Sequence, residues 1–351
     1  MLYYALRRLA YGILVMILVV CTITGIIYLA PVDPAQLTFG QRSDASTVKA
    51  KTAELGLNQP LYVQMGRYLA DISPISILED SPENRRRYHF IPLFYTDADR
   101  AWVLKMPYLR ESFQSGRPVS EILADAIPNT ALLAGIAMLF ATLLGLALGV
   151  WAAVKPHTLI DHLIAVLSVL GYSVPSYVAA MLLALVFGFA LGDWTGLDVQ
   201  GSLYVLDDFG DWELRWRNLV LPAIALGMRP VALITQLTRS AMLDTLSQDY
   251  VRTATAKGLP RRRVLVLHAL RNALNPIVSA VSGWFAALLT GAFFVENVFN
   301  FKGLGSATIT ALLNFDIPVV LGCVLFTVLV FVVINLLADL LYAWLDPRVA
   351  L

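Results

Sequence analysis

Apolar residues in this chain gather into six long runs separated by polar segments, and the lengths of the runs predict helices that cross a membrane. Spanning the hydrocarbon takes about 20 mostly apolar residues. Runs of that kind extend from about Leu9 to Ala30, Thr130 to Val154, Leu163 to Leu191, Leu219 to Leu237, Ile277 to Val295 and Val319 to Leu345. The fourth is the weakest, because Arg229 and Pro230 interrupt it. Arg7 and Arg8 precede the first run as they would in a signal peptide. Its apolar length, however, exceeds the roughly 7–15 residues of a signal-peptide core. Tyr28 also spoils a small-x-small cleavage site, so the run reads as a retained span. The expected fold class is an all-α membrane protein of six transmembrane helices. The expected domains are residues 1–30 with the first helix, a long extracytoplasmic segment 31–129, a core 130–345 containing a loop 239–275, and a terminus 346–351.

The polar segments carry weaker signals. Ser43 or Asp44 is placed to cap a short helix ending near Gly56. Pro60 to Ile72 has the apolar spacing of a surface amphipathic helix. Ser73 to Met106 is polar, proline-interrupted and contains Arg85, Arg86 and Arg87, and it reads as an insertion on the outer face. Ser120 to Pro128 predicts a capped helix leading into the second span.

The connection between the fourth and fifth runs is richer. Asp249 suits the first turn of a short helix, where a negative charge opposes the helix dipole. Tyr250, Val251 and Ala254 give that helix one apolar face. Gly258 is placed to end it, and Pro260 restarts the chain. Helix, sharp turn and second helix make a knob that another protein can grip; a basic loop that only enforces topology is the plainer reading.

Composition narrows the class. Of 351 residues, 58% are apolar and only 15% charged, against about 25% charged in soluble domains. That excludes a disordered chain, a collagen and a disulfide scaffold. The net charge of +1 gives no reason to expect a nucleic-acid partner. Cys21 and Cys323 lie in apolar runs and read as small buried hydrophobes. No Gly-Lys dipeptide occurs, so no P-loop is present. His89, His157, His162 and His268 are scattered, and HExxH, GxSxG and CxxC are absent. An enzyme with its own active site is not expected.

Short-loop Lys and Arg set orientation. Arg7 and Arg8, Lys155, the basic 239–275 loop and Arg348 fall on one side of a six-span chain, which places both termini in the cytoplasm. The loop holds Arg239, Arg252, Lys257, Arg261, Arg262, Arg263 and Arg271 against Asp244 and Asp249. The connection 192–218 is acidic and suits the outside.

Several blocks then resemble a known family. Asp249-Tyr-Val-Arg-Thr-Ala-Thr-Ala-Lys-Gly258, followed by His268-Ala-Leu-Arg-Asn-Ala-Leu, is similar to the cytoplasmic signature of ABC importer permeases, in particular the DppB/OppB-like subunit of the peptide/nickel branch. Further matching blocks are Leu2 to Leu9, Gly171-Tyr-Ser-Val-Pro175, Val295-Glu-Asn-Val-Phe299 with Gly303-Leu-Gly305, Asp316-Ile-Pro-Val-Val320, and Asn335 to Tyr342 with Asp346-Pro-Arg348. Two departures stand out. Arg252 occupies a position that is acidic in the general permease loop, and Tyr108-Leu-Arg-Glu-Ser112 lacks the glycines of the family's Gly-Asp-x-Gly-x-Ser element.

The resemblance implies a multi-pass protein of the bacterial inner membrane that forms half of a translocation pathway. The implied partners are a second permease subunit, one or two cytoplasmic ABC ATPase subunits and an extracytoplasmic solute-binding protein. ATP and Mg would be bound by the ATPases, and no cofactor by this chain. The implied docking residues are Asp249, Tyr250, Val251, Arg252, Ala254, Ala256, Lys257 and Gly258, with Tyr250, Val251 and Ala254 making the buried contacts. Peptides are the first choice of cargo and nickel or another small solute the alternative. An ion-gradient-driven transporter is the rival from another class, but no internal repeat or charge-rich midplane supports it. Ser173, Pro175 and Ser176 are either a packed kink or part of the pathway lining. Asp316 with Pro318 reads as a helix start, Asp339 as a structural or snorkelled acid, and Gly145 with Gly149 as a site of close helix packing.

The charge pattern makes a direct prediction about orientation. A single-cysteine Arg262→Cys variant in sealed cells is expected to resist a membrane-impermeant thiol reagent added from outside; labelling would overturn the assignment.

Overall fold

Where helices begin, bend and end follows the apolar runs and the prolines within them. The computed structural model describes residues 2–29, 59–96, 99–206 and 211–345. The expected helix between Ser43 or Asp44 and Gly56, and the segment 346–351, lie outside these described residues. The chain divides into two compact units, Leu2–Ala126 with Ala307–Leu329, and Ile127–Ser306 with Val330–Leu351.

In the second of these units the helices Val119–Val154, Ser176–Leu183, Val220–Leu246 and Arg271–Gly291 contribute to a core that includes Leu133, Ala137, Leu226, Ile234, Phe299 and Phe301. Val119–Val154 is one continuous helix of 36 residues, so the expected capped helix at Ser120 is its first turns rather than a separate element. Val220–Leu246 is buried on most of its circumference. Close packing explains the Gly145/Gly149 pair: a Cβ on Gly149 would lie 2.5 Å from Thr238 Cβ and 2.6 Å from the Thr235 carbonyl oxygen. Small residues let two backbones approach in this way.

Three helices are long and apolar enough to cross a membrane: Val119–Val154, Trp216–Leu246 and Ile317–Leu337. Two bent pairs raise the number to five if each counts as one span. The first expected span forms the helix Leu2–Leu29, with a shorter apolar stretch at Ala10–Ile26. The described residues therefore give three to five candidate spans where the apolar runs suggested six. The largest difference lies in the third run, where Leu159–Ser173 and Ser176–Ala190 meet at 105° instead of forming one kinked span. Pro175 has no N–H to donate and holds Val174 extended, at φ −71° and ψ 126°, so the helix cannot continue through it.

The all-α expectation also needs correction, since the protein is mostly helical but contains two small sheets. β1 (Ile75–Glu79), β2 (Ile91–Tyr95) and β3 (Arg100–Leu104) form an antiparallel sheet in the order β1-β3-β2. β4 (Tyr204–Leu206) pairs with β5 (Trp212–Leu214). The described residues of the stretch 73–106 therefore form this sheet together with a short helix, Pro82–Tyr88. Ser76, Ala101 and Val103 point to the sheet's buried side while Ile75, Ile77 and Leu104 are exposed, the period-two alternation of a half-covered strand. Strands this short leave little signal among the surrounding charges.

Acids organise this unit. The amphipathic helix Leu61–Ile72 carries Asp71, which accepts hydrogen bonds from Tyr88 at 2.8 Å and Arg110 at 2.8 Å, while its carbonyl accepts from Lys105 at 2.7 Å. Burial and the neighbouring Asp71 charge push the Tyr88 hydroxyl up to about 12. Asp80 follows β1 and accepts from Arg85 at 2.6 Å and Tyr95 at 2.8 Å, which lowers its carboxyl to about 2. Asp316, expected only as a helix start, is buried and also accepts from the Ser112 hydroxyl and, at 3.0 Å, from the Phe113 N–H.

Gly149→Leu is expected to force the two packed helices apart, costing about 1–3 kcal/mol as overpacking does. Thermal unfolding of the detergent-purified chain checks this, with a lowered Tm as the expected result.

Candidate functional site

The loop between Val220–Leu246 and Arg271–Gly291 folds as two turns of helix set between backbone breaks. Gln248 is extended, at ψ 147°, and separates Leu246 from the helix Asp249–Ala256. Asp249 occupies the first turn, as expected from its charge. Gly258 follows at φ +75°, and its N–H donates to the Thr255 carbonyl at 3.0 Å. A Cβ at Gly258 would meet nothing within 4 Å, so backbone conformation rather than lack of space demands glycine here. Pro260 then starts Arg261–Arg263, which continues as π-helix through Val264–Leu270 into Arg271–Gly291.

The expected docking residues divide into two sets. Val251 and Ala254 are buried, but against Val264 of the same loop, with Leu246 and Leu259 around them. Their apolar faces hold the short helix against the segment that follows it. Tyr250 is 43% exposed, and its hydroxyl accepts a hydrogen bond from Asn272 at 2.8 Å. Asp249, Arg252, Ala256, Lys257 and Gly258 are exposed with it. Arg252 pairs loosely with Asp249 at 3.6 Å. A cleft of about 350 Å³ lies beside this helix, lined by Val154, Leu246, Val251, Thr255, Leu259 and Arg261 among others.

One ion pair ties this loop to the rest of its unit. Arg239, two turns before the end of Val220–Leu246, grips Asp161 at the start of Leu159–Ser173 through two hydrogen bonds of 2.5 and 2.8 Å. Asp161 is buried, and it also accepts from the His157 N–H at 2.9 Å. At the other end of the same helix pair, Arg229 donates to the Tyr172 carbonyl at 3.4 Å and lies 5.7 Å above the Tyr172 ring. Sequence reasoning had not singled out Asp161. Its only signal was a lone acid at the edge of an apolar run.

The expected pathway residues sit together at the break. Ser173 ends one arm and bonds back to the Val169 carbonyl at 2.8 Å. Pro175 is exposed and Ser176 opens the next arm. A further buried acid lies in the block Val295–Phe299. Glu296 accepts from the Thr130 hydroxyl at 2.7 Å and the Ser306 N–H at 3.0 Å, and Thr130 accepts from the Leu304 N–H at 2.7 Å. The block Val295–Phe299 and the glycines after it are thereby folded around one carboxylate. Among the described residues no group of three or more His, Cys, Asp or Glu side chains forms a metal cluster.

Comparison with known proteins places this arrangement. The family described as "Binding-protein-dependent transport system inner membrane component" matches residues 145–351, and its N-terminal companion, "Binding-prot-dependent transport system membrane comp, N-term", matches residues 1–134. The chain is 34% identical to the Probable D,D-dipeptide transport system permease protein DdpB of Escherichia coli (strain K12), over 98% of this chain and 96% of that protein. It is also 34% identical to the Dipeptide transport system permease protein DppB of the same organism, over 99% of each. Among solved structures, an inward-facing form of the MetNI methionine ABC transporter matches with a TM-score of 0.52 at 15% identity, over 65% of this chain and 97% of that one, a likeness of fold alone. With both family matches and full-length relatives in agreement, the chain belongs to the binding-protein-dependent transport system inner membrane components, the multi-pass, non-catalytic permease subunits of ABC importers that work with ATPase and binding-protein partners.

Proposed function

We propose that this chain is one permease of a peptide importer, and that its 239–275 loop is where a cytoplasmic ATPase docks. The cargo reading rests on the full-length likeness to DdpB and DppB, whose names specify D,D-dipeptide and dipeptide transport. Six spans, cytoplasmic termini and a second, different permease subunit complete the reading. One or two ATPase subunits bind ATP and Mg, and this chain binds neither.

The observation that carries the docking reading is the short helix Asp249–Ala256, set off by an extended residue before it and a positive-φ glycine after it. Since Val251 and Ala254 brace the helix from within, the docking face is the outer one: Asp249, Tyr250, Arg252, Ala256 and Lys257, with Gly258 fixing the turn. A half-exposed tyrosine flanked by charges suits a contact that excludes water at its centre and stays polar at its rim. Internal bracing makes the helix stiff, so a push on its outer face moves the Val220–Leu246 helix with it. The Asp161–Arg239 pair then carries that displacement into Leu159–Ser173.

Two outcomes are expected. Gly258→Val places a β-branched residue at positive φ, a cost of about 1–2 kcal/mol. Together with Tyr250→Asp on the exposed face, it is expected to leave the chain in the membrane while the ATPases no longer co-purify and uptake is lost. Wild-type co-purification and uptake in both variants would reduce the loop to a topology device. Asp161→Asn is expected to leave the ATPases bound and hydrolysing while substrate moved per ATP falls several-fold; a charge-exchanged Asp161→Arg, Arg239→Asp chain recovers part of the loss. Uptake and hydrolysis measured together in proteoliposomes check this, and an unchanged ratio in Asp161→Asn would remove the pair from the transmission.

A further inference from the structure

Arg229 is a cation in the middle of an apolar span. It lies within the membrane-length helix Trp216–Leu246, far from either end, and interrupts the run Leu219 to Leu237. Charged side chains at that depth are costly, and they face a protein interior or a water-filled cavity rather than lipid. Arg239, ten residues further on, has its carboxylate in Asp161. Arg229 has none: among the described residues its partners are the Tyr172 carbonyl, at a long 3.4 Å, and the Tyr172 ring. One backbone oxygen and a ring face leave most of the five guanidinium donors unused.

The surroundings point the same way. Tyr172 is the residue before Ser173, so Arg229 is held against the end of the arm that breaks at Pro175. Around the 105° break, Tyr172 and Tyr177 are exposed. The arm that starts at Ser176 has no side-chain cap, and the first amide groups of any helix lack intrahelical acceptors. Broken helices at mid-membrane depth are tolerated where they line a cavity. A planar guanidinium is matched to a carboxylate in both charge and geometry.

We propose that Arg229 recognises the cargo, its guanidinium pairing with the terminal carboxylate of a peptide as it passes the Pro175 break. This rests on the reading of the cargo as peptide. Every unmodified linear peptide carries that carboxylate whatever its side chains, so one fixed cation can serve a varied set of substrates. The Tyr172 carbonyl and ring orient the guanidinium while the pathway is empty.

The test uses the whole importer in proteoliposomes with its binding protein. Uptake of a dipeptide with a free carboxylate is compared with uptake of the same dipeptide amidated at its C-terminus, in wild type, Arg229→Gln and Arg229→Lys. The binding protein is identical throughout, so its own preference cancels when ratios are compared. The free-acid preference is expected to fall about tenfold or more in Arg229→Gln, as for loss of a charge-assisted hydrogen bond, with Arg229→Lys between the two. An unchanged ratio with peptide uptake intact overturns the Arg229 assignment alone. Equal loss of both peptides in both variants marks a general role in coupling and overturns it too. Loss of the second permease from the purified Arg229→Gln complex also overturns it, by assigning the cation to an acid on that subunit. Wild type that takes up neither peptide, with its ATPases still stimulated by the binding protein, overturns the cargo reading and this proposal with it.

Discussion

The Val220–Leu246 helix has to be apolar enough for burial and yet carry Arg239 two turns before its end, and the protein meets that constraint with Asp161. Two hydrogen bonds of 2.5 and 2.8 Å tie the guanidinium to a buried carboxylate on a neighbouring helix. Breaking a pair of this kind strands a charge, so the two helices are held to one register at this end. Gly145 and Gly149 bring the 119–154 helix against the same central element. The loop that follows inherits its position from this arrangement, because only Ser247 and Gln248 separate it from the helix.

Acids recur as organising points, Glu296 and Asp316 buried and Asp71 half-buried. Glu296 gathers Thr130 and Ser306, Asp316 gathers Ser112 and Phe113, and Asp71 gathers Tyr88 and Arg110. In each case a carboxylate accepts hydrogen bonds from residues well separated from it in the chain. Apolar packing in a membrane protein is only weakly directional, since lipid tails are as apolar as the side chains. Polar anchors supply the direction: a buried carboxylate without its donors is costly, and only one register provides them all.

The loop shows how one apolar face can serve packing within the chain. Tyr250, Val251 and Ala254 share one side of a helix in sequence, and a partner groove is one place for such a side to go. Val264, arriving after the Gly258 turn, takes Val251 and Ala254 first. The direction of the helix's buried side chains depends on the path of the chain after Gly258.

The sequence by itself determined the membrane class, the positions of most apolar helices, the short helix after Gln248, the need for glycine at 258 and the family. Each of these is a local property: run length, periodicity, or a backbone angle that one residue type adopts without strain. The tertiary structure decided the rest. Pro175 marked an interruption, but its 105° angle depends on what each arm packs against. The strands at 75–104 alternate over five residues at a time, too briefly to stand out until β3 pairs with both neighbours. Asp161 finding Arg239, and Arg229 finding only Tyr172, are pairings across 78 and 57 residues. No periodicity encodes them, because a partner that far along the chain is chosen by the three-dimensional packing of helices and by the cost of leaving a buried charge alone.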